Sequence, residues 1–485
     1  MRKLAGVLIV SFLWTGTALA QGARDWATAG ADAQRSSWVR TDAKISQDSM
    51  RKPGFQLLWK IKLNSDLTTP ALIDRYIGYR GFRSLAFVGG SSDSIVAIDT
   101  DLGRIEWQRR LPSGSRQQGG TLDCPGGMTA NVARATIASF PAGGVTGAGR
   151  GRGAVSGAGE PGQGAVTLRP VVAAPAAVPA RGAAGGPPAR TLNLVYMLSS
   201  DGMLHGMYVS NGVEPEPPVK FLPANANAQG LIVVDGVAYA TTVHGCGGAP
   251  DAVWALDLAS KEATSWKPAG GISGSAGAAI GPDGTLYVAT RPGELVALEP
   301  KTLKLKDTYT AGHEFSSSPV LFEFQKRVLV AATTKDGRLH LLDSAGLTPL
   351  YKTAPSNAAD FAPGALASWQ DSAGARSILA ATATAIAAWK VVERNGALVV
   401  EPAWVSRDMV SPLPPVIVNG VVFAVSKASP AVLYALDGGS GKELWSSGAS
   451  ITSRVRSSRL SGGGSHLYLG TEDGAFYAFG FPIEH

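Results

Sequence analysis

The chain has 485 residues, 45% of them hydrophobic, and a formal charge of +7 from 44 Lys and Arg against 37 Asp and Glu. That length and apolar content exclude a disordered polymer and supply an ample core. The charge sits mostly at Arg2 and Lys3 and in a stretch with Arg150, Arg152, Arg169, Arg181 and Arg190 against Glu160 alone, which leaves about +1 elsewhere. That is too little for the basic footprint of a nucleic-acid partner.

The first 20 residues read as a secretory signal. Arg2 and Lys3 precede an apolar stretch over residues 4–14, and Ala18-Leu19-Ala20 supplies the small residues of a cleavage site near Ala20. The apolar stretch is short of the about 20 residues that span a bilayer, and no second one follows. Cys124 and Cys246 are the only cysteines, so none follows the cleavage site to carry a lipid anchor. The expected location is periplasmic or secreted, in an oxidising space. Residues 21–56 form a polar lead-in containing Trp26 and Trp38, expected to pack on the rim of the domain.

A repeated phrase begins beyond it. Ala97-Ile98-Asp99 is followed by Gly103 and Trp107, and Ala435-Leu436-Asp437 by Gly441 and Trp445, with the same spacing. Each repeat also carries a step of small residues or proline, as in Thr69-Pro70-Ala71, Ser318-Pro319-Val320 and Pro414-Pro415-Val416. A tight turn such as Asp235-Gly236 or Asn419-Gly420 then supplies the positive φ angles of a hairpin. Apolar runs follow at 85–90, 194–199, 237–242, 286–290, 328–333, 378–382, 421–426 and 467–471. Short apolar runs bounded by such turns suit strands covered on both faces. A period of about 40–50 residues built this way predicts a β-propeller.

The fold expected is therefore all-β: an eight-bladed β-propeller of four-stranded antiparallel blades spanning residues 57–485. The last repeat has its first three strands at 455–459, 467–471 and 475–479, and the chain stops at His485 without a fourth. Residues 57–63, Leu-Leu-Trp-Lys-Ile-Lys-Leu, supply the missing strand and close the ring. One segment departs from the pattern. Residues 139–189 are nearly all Gly, Ala, Pro, Val and Arg, and are expected to be a disordered insertion between the first two strands of the second blade.

The Ala-Leu-Asp-x-x-x-Gly-x-x-x-Trp phrase resembles the pyrroloquinoline-quinone (PQQ) propeller repeat, shared by quinoprotein alcohol dehydrogenases and non-enzymatic extracytoplasmic scaffolds. The third repeat drifts from it, with Lys261 at the glycine position, and the fourth has Glu299 at the aspartate position. The resemblance marks a fold, and fold does not imply function. Enzymes of this family wall their quinone pocket with a disulfide between adjacent cysteines, and this chain has no adjacent pair. It also lacks Cys-x-x-Cys-His for covalent haem.

The remaining chemistry is sparse. Asp123, Asp251, Asp360 and Asp408 read as turn or solvated acids. His205, His313, His340, His466 and His485 are scattered and read as satisfied polar residues. Cys124 and Cys246 fall on loops of one face in neighbouring blades and are expected to form a disulfide. The alternative there is a zinc site of Asp123, Cys124, His244 and Cys246. The function expected is an extracytoplasmic, non-catalytic binding scaffold without a cofactor. Its ligand is an envelope or extracellular protein, a peptide or a glycan, and the chain acts as a monomer with no nucleic-acid partner. The alternative is a PQQ- and calcium-dependent dehydrogenase of alcohols or sugars with an atypical pocket.

Overall fold

The structure is a computed structural model and describes residues 25–63, 65–78, 81–112, 123–140, 194–355, 361–455 and 460–482. The expected signal peptide and all but the first two residues of the expected insertion lie outside them. The described chain is all-β, apart from single helical turns such as Gln47–Met50.

Eight four-stranded antiparallel units succeed one another, each running A to D in pairing order. In the first unit, Ala71–Gly78, Gly81–Gly90, Ser94–Asp99 and Arg104–Arg110 pair in turn. Units two and three share one eight-stranded sheet, because their A strands, Ala133–Thr136 and Asn227–Val234, pair in parallel. Strand B is where the expected apolar runs fall. Leu286–Ala289 and Val421–Ser426 are buried at every position. Period-two alternation is absent there because both faces of each strand are covered by neighbouring units.

The last unit consists of Leu460–Gly463, His466–Gly470 and Ala475–Gly480, completed by the N-terminal strand Gln56–Lys62. That strand pairs antiparallel with Ala475–Gly480, from Gln56 opposite Gly480 to Lys62 opposite Ala475. The two ends of the chain are thus joined as expected. Strand A of this unit is a correction: its described residues are Leu460–Gly463 where 455–459 were expected, Val455 is not in a strand, and residues 456–459 lie outside the described set. Its sequence Leu-Ser-Gly-Gly has little β propensity. Glycine is needed because the neighbouring unit packs onto the bare backbone: a Cβ on Gly462 would lie 2.8 Å from Val418.

The repeated phrase has a physical role between units. Trp107, on strand D of the first unit, lies over Gly212 of the second and donates its Nε1 hydrogen to Val209 O at 2.8 Å. Trp404 of the sixth unit lies over Gly441 of the seventh, with Nε1 to Gly438 O at 2.9 Å. Trp59, on the N-terminal strand, lies over Gly103 of the first unit, with Nε1 to Thr100 O at 2.9 Å. These glycines have φ of +63° to +71°, and a Cβ on any of them would come within 2.7 Å of the indole. Glycine therefore serves twice, allowing the left-handed turn and admitting the neighbour's ring. The aspartate caps the same turn: Asp99 Oδ1 accepts from Asp101 N and Leu102 N, both at 3.1 Å.

The lead-in overturns one expectation. Its first part, residues 26–37, is not on the rim. Trp26 is 1% exposed, and residues 26–28 and 31–37 are buried. The segment runs past the A strands of successive units and takes a hydrogen bond from nearly every one. Leu72 N donates to Trp26 O at 2.7 Å, Arg134 N to Ala27 O at 2.7 Å, and Ile280 N to Ala33 O at 2.7 Å. Leu321 N donates to Gln34 O at 3.0 Å, Ser368 N to Ser36 O at 2.9 Å, and Ile417 N to Ser37 O at 2.8 Å. Unit three is reached by Thr28 Oγ1, which donates to Leu231 O at 2.6 Å. Unit eight is reached by Asp42, whose carboxylate accepts from Ser465 N at 2.9 Å. The innermost strands thus satisfy their otherwise unpaired amides on this one segment.

Curling so tightly requires left-handed residues: Gly30, Ala31, Arg35 and Ser37 all have positive φ. The non-glycine ones are strained by roughly 1–2 kcal/mol each. Arg35 is held there by its guanidinium, which donates to Ala278 O at 2.8 Å, Gly230 O at 2.7 Å and Ala29 O at 2.6 Å. Burial lowers its pKa to about 9, so the cation is retained at neutral pH.

Replacing Trp107 by Ala should lower the stability to urea by about 3–5 kcal/mol. Gly212→Ala should act in the same direction by displacing the same ring. A change under about 0.5 kcal/mol for both variants would contradict the docking role.

Candidate functional site

The curled lead-in closes the middle of the molecule and leaves a funnel on one side of itself. Its floor is Trp26, Ala29, Gly30 and Ser37, and its walls are residues before or at the start of strand A in every unit but the fifth, with Ser91 after strand B of the first. The cavity measures about 450 Å³, within the range of ligand pockets. Pro125 and Ser275 are exposed at its mouth. The small and proline-containing steps seen in the sequence, Thr69 before Pro70 and Pro414 before Pro415, form part of this wall. Short side chains there keep the funnel open.

The lining is polar but almost uncharged. Thr68, Thr69, Ser91, Thr129, Asn131 and Gln229 contribute hydroxyl and amide groups, and Leu67, Met128 and Leu413 contribute apolar surface. Asp66 is the one ionisable side chain among the described lining residues, which include no Lys, Arg or His. Asn131 is fixed in orientation: its Nδ2 donates to Val132 O at 3.0 Å and Leu231 O at 2.9 Å.

Beside the mouth, Cys124 and Cys246 form a disulfide with Cα atoms 5.5 Å apart, as expected from their loops. Asn227 Nδ2 donates to Asp123 O at 2.7 Å, and His244 Nδ1 lies 3.2 Å from the same oxygen. The bond therefore pins the wall segment that begins at Pro125 to unit three. The zinc alternative also gathers Asp123, Cys124, His244 and Cys246 in one place. With both sulfurs in a disulfide, neither is a thiolate, and that ligand set does not form.

The other acids singled out in the sequence are dispersed. Asp251 Oδ1 accepts from Gly245 N at 2.9 Å and serves the turn that carries Cys246. Asp408 is exposed in a loop, and Asp360 lies outside the described residues. Two of the histidines are structural. His205 bonds Ser199 Oγ at 2.9 Å and Glu214 at 2.6 Å. His340 sits between Tyr309 Oη at 3.0 Å and Thr334 Oγ1 at 3.1 Å, and burial lowers its pKa to about 4. Neither lines the funnel.

Sequence reasoning missed the funnel residues themselves. Thr68, Asn131 and Gln229 belong to no motif, and only the lead-in brings them round one cavity. The signal within reach was the recurrence of small residues just before strand A.

A quinone cofactor fits this lining poorly. PQQ is a flat tricarboxylate, and carboxylates taken out of water need cationic partners or many donors. The described lining supplies no cation and one carboxylate of the wrong sign. Among the described residues no group of three or more His, Cys, Asp or Glu could hold a metal ion. No described helix is long and apolar enough to cross a membrane.

A family profile described as outer membrane protein assembly factor BamB matches residues 247–479. No curated protein matches the chain. Among solved structures, BamB from Moraxella catarrhalis aligns with a TM-score of 0.53 at 12% identity, covering 89% of this chain and 99% of that one. Quinohemoprotein alcohol dehydrogenase from Comamonas testosteroni aligns with a TM-score of 0.58 at 15% identity, covering 96% and 82%. A europium-containing methanol dehydrogenase aligns with a TM-score of 0.59 at 11% identity, covering 95% and 99%. At such identities the likeness is one of fold.

Replacing both cysteines by Ser should destabilise the protein by about 2–5 kcal/mol, given their sequence separation of 122. Without prior reduction, an alkylating reagent should label neither thiol in denaturant. Labelling of both would contradict the bond.

Proposed function

We propose, from the premise that the chain belongs to the PQQ-like β-propeller repeat family, that it is an extracytoplasmic binding scaffold and not a quinone enzyme. In this reading the eight units form one closed ring, sealed where Trp59 meets Gly103. The observation that carries the reading is the lead-in: it fills the middle of the domain and leaves a funnel whose described lining has no cation and no cluster of metal ligands. Such a site can hold a ligand, and Asp66 is the one described lining group able to take up a proton.

A likeness to BamB supports a protein partner, and the disulfide supports an oxidising compartment. A signal peptide ending near Ala20 and the insertion at residues 139–189 complete the proposal at the level of the sequence. The dehydrogenase reading has the fold likeness in its favour, but it would need a tricarboxylate, a divalent cation and a base in the same funnel.

The test is direct. Purified protein, after incubation with PQQ and calcium and removal of free quinone, should retain no quinone absorbance. It should reduce no redox dye with short alcohols or sugars. Stoichiometric quinone retention with dye reduction would overturn the scaffold reading.

A further inference from the structure

We propose that the hairpin joining strands A and B of the first unit is a membrane-contact element, whose apolar face enters the interface of a lipid bilayer. It lies at the end of strand A remote from the funnel, so it is independent of any ligand held there. Strands A and B, Ala71–Gly78 and Gly81–Gly90, pair as far as Gly78 opposite Gly81. Strand B has left strand C before that point, since the last pair there is Leu85 with Asp99. Residues 81–84 therefore pair with strand A alone, and a two-stranded ribbon projects about 13 Å past the sheet. The corresponding turns of units three and seven do not project. Val237 pairs with both Val234 and Asp257, and Val421 with both Val418 and Asp437.

The ribbon carries the two most exposed large apolar side chains among the described residues, Phe82 at 75% and Ile77 at 69%. They stand directly opposite each other and so share one face. Side chains alternate along strand B, which puts Phe82 on the side of Ala86 and Val88. Those two are buried in the cluster that joins unit one to unit eight. Unit eight stops at its own turn, where a Cβ on Gly464 would lie 3.7 Å from Ser84 Oγ. The apolar face thus continues beyond the neighbour that covers it.

Size and shape select the occupant. Burying Phe82 and Ile77 removes on the order of 300 Å² from water, well short of the about 800 Å² per partner in a stable protein interface. A bilayer sets no such threshold, and interfacial elements bury their apolar side only about 5–10 Å deep, within the reach of this ribbon. The sequence over residues 75–83 has the composition of such contacts, with Arg75, Tyr79 and Arg80 beside the apolar pair and no acid. Acids stand at the root of the ribbon instead. Asp74 accepts from Ser84 Oγ at 2.9 Å, Arg83 pairs with Glu106 and Asp99, and Asp101 follows in the next turn. Residues 79–80 lie outside the described set, and the apolar pair carries the contact. An anchor of this size is peripheral and reversible.

The experiment is co-sedimentation of the full secreted chain with vesicles of equimolar phosphatidylethanolamine and phosphatidylglycerol. The parent should bind. Ile77→Ser and Phe82→Ser should each weaken binding about tenfold, the effect of one apolar side chain withdrawn from the interface. Unchanged thermal unfolding identifies both variants as folded. Phe82→Trp should still bind, and its added emission should be quenched by brominated acyl chains. The proposal fails if the parent does not bind the vesicles, or if both folded Ser variants bind as well as the parent. It also fails if bound Phe82→Trp is not quenched, because the contact then lies elsewhere on the surface. Self-association of the parent that is lost in Phe82→Ser, without vesicle binding, would make the ribbon an interface between copies and overturn the proposal.

Discussion

The molecule is organised around backbone hydrogen bonds between one short segment and the innermost strands of its units. The segment from Trp26 to Val39 has almost no regular structure of its own, yet its carbonyls accept from Leu72, Arg134, Ile280, Leu321, Ser368 and Ile417 in chain order. Those amides sit on strand edges at the middle of the domain, where packing leaves little room for water. Unpaired, each would lose free energy comparable to a missing hydrogen bond. A single curled strap satisfies them together. Its own strain, concentrated at Ala31, Arg35 and Ser37, is offset by the guanidinium contacts of Arg35 to carbonyls from units three and four.

The strap also explains why a fold shared with quinone dehydrogenases need not share their chemistry. Trp26, Ala29, Gly30 and Ser37 make the floor of the funnel, so its depth and polarity are set by residues outside the repeats. The repeats supply only the wall, and they supply it mostly from positions before or at the start of strand A. The disulfide acts at the same level. It ties the loop bearing Pro125 and Gly126 to the third unit and so fixes one side of the mouth. Fold and site are thus encoded by different parts of the chain.

That separation accounts for what could be read in advance. The repeated phrase was legible because each Trp–Gly contact imposes a fixed spacing, and the same constraint recurs from unit to unit. The pairing of Gln56–Lys62 with the last unit was legible because this strand carries the same Trp, and the disulfide because its two loops fall on one face. The lead-in was not legible. Its Ser, Arg, Gln and Asp residues look solvated, since nothing local shows that their partners lie hundreds of residues away. Strand A of the last unit was misplaced for a related reason: Gly462 and Gly463 lack β propensity, and the value of Gly462 is to let Val418 approach. The funnel residues escaped because Thr68, Asn131 and Gln229 become a set only once the strap has drawn three units together.

Hydrogen exchange of the amides that face the strap tests the central claim most directly. If the segment fills the middle of the domain, the amide hydrogens of Leu72, Arg134, Ile280, Leu321, Ser368 and Ile417 should exchange only through global unfolding, as slowly as those of the core strand Val421–Ser426. Rapid exchange at these six positions, with the core strand still protected, would mean that the strap does not occupy the centre and that the funnel lacks its floor.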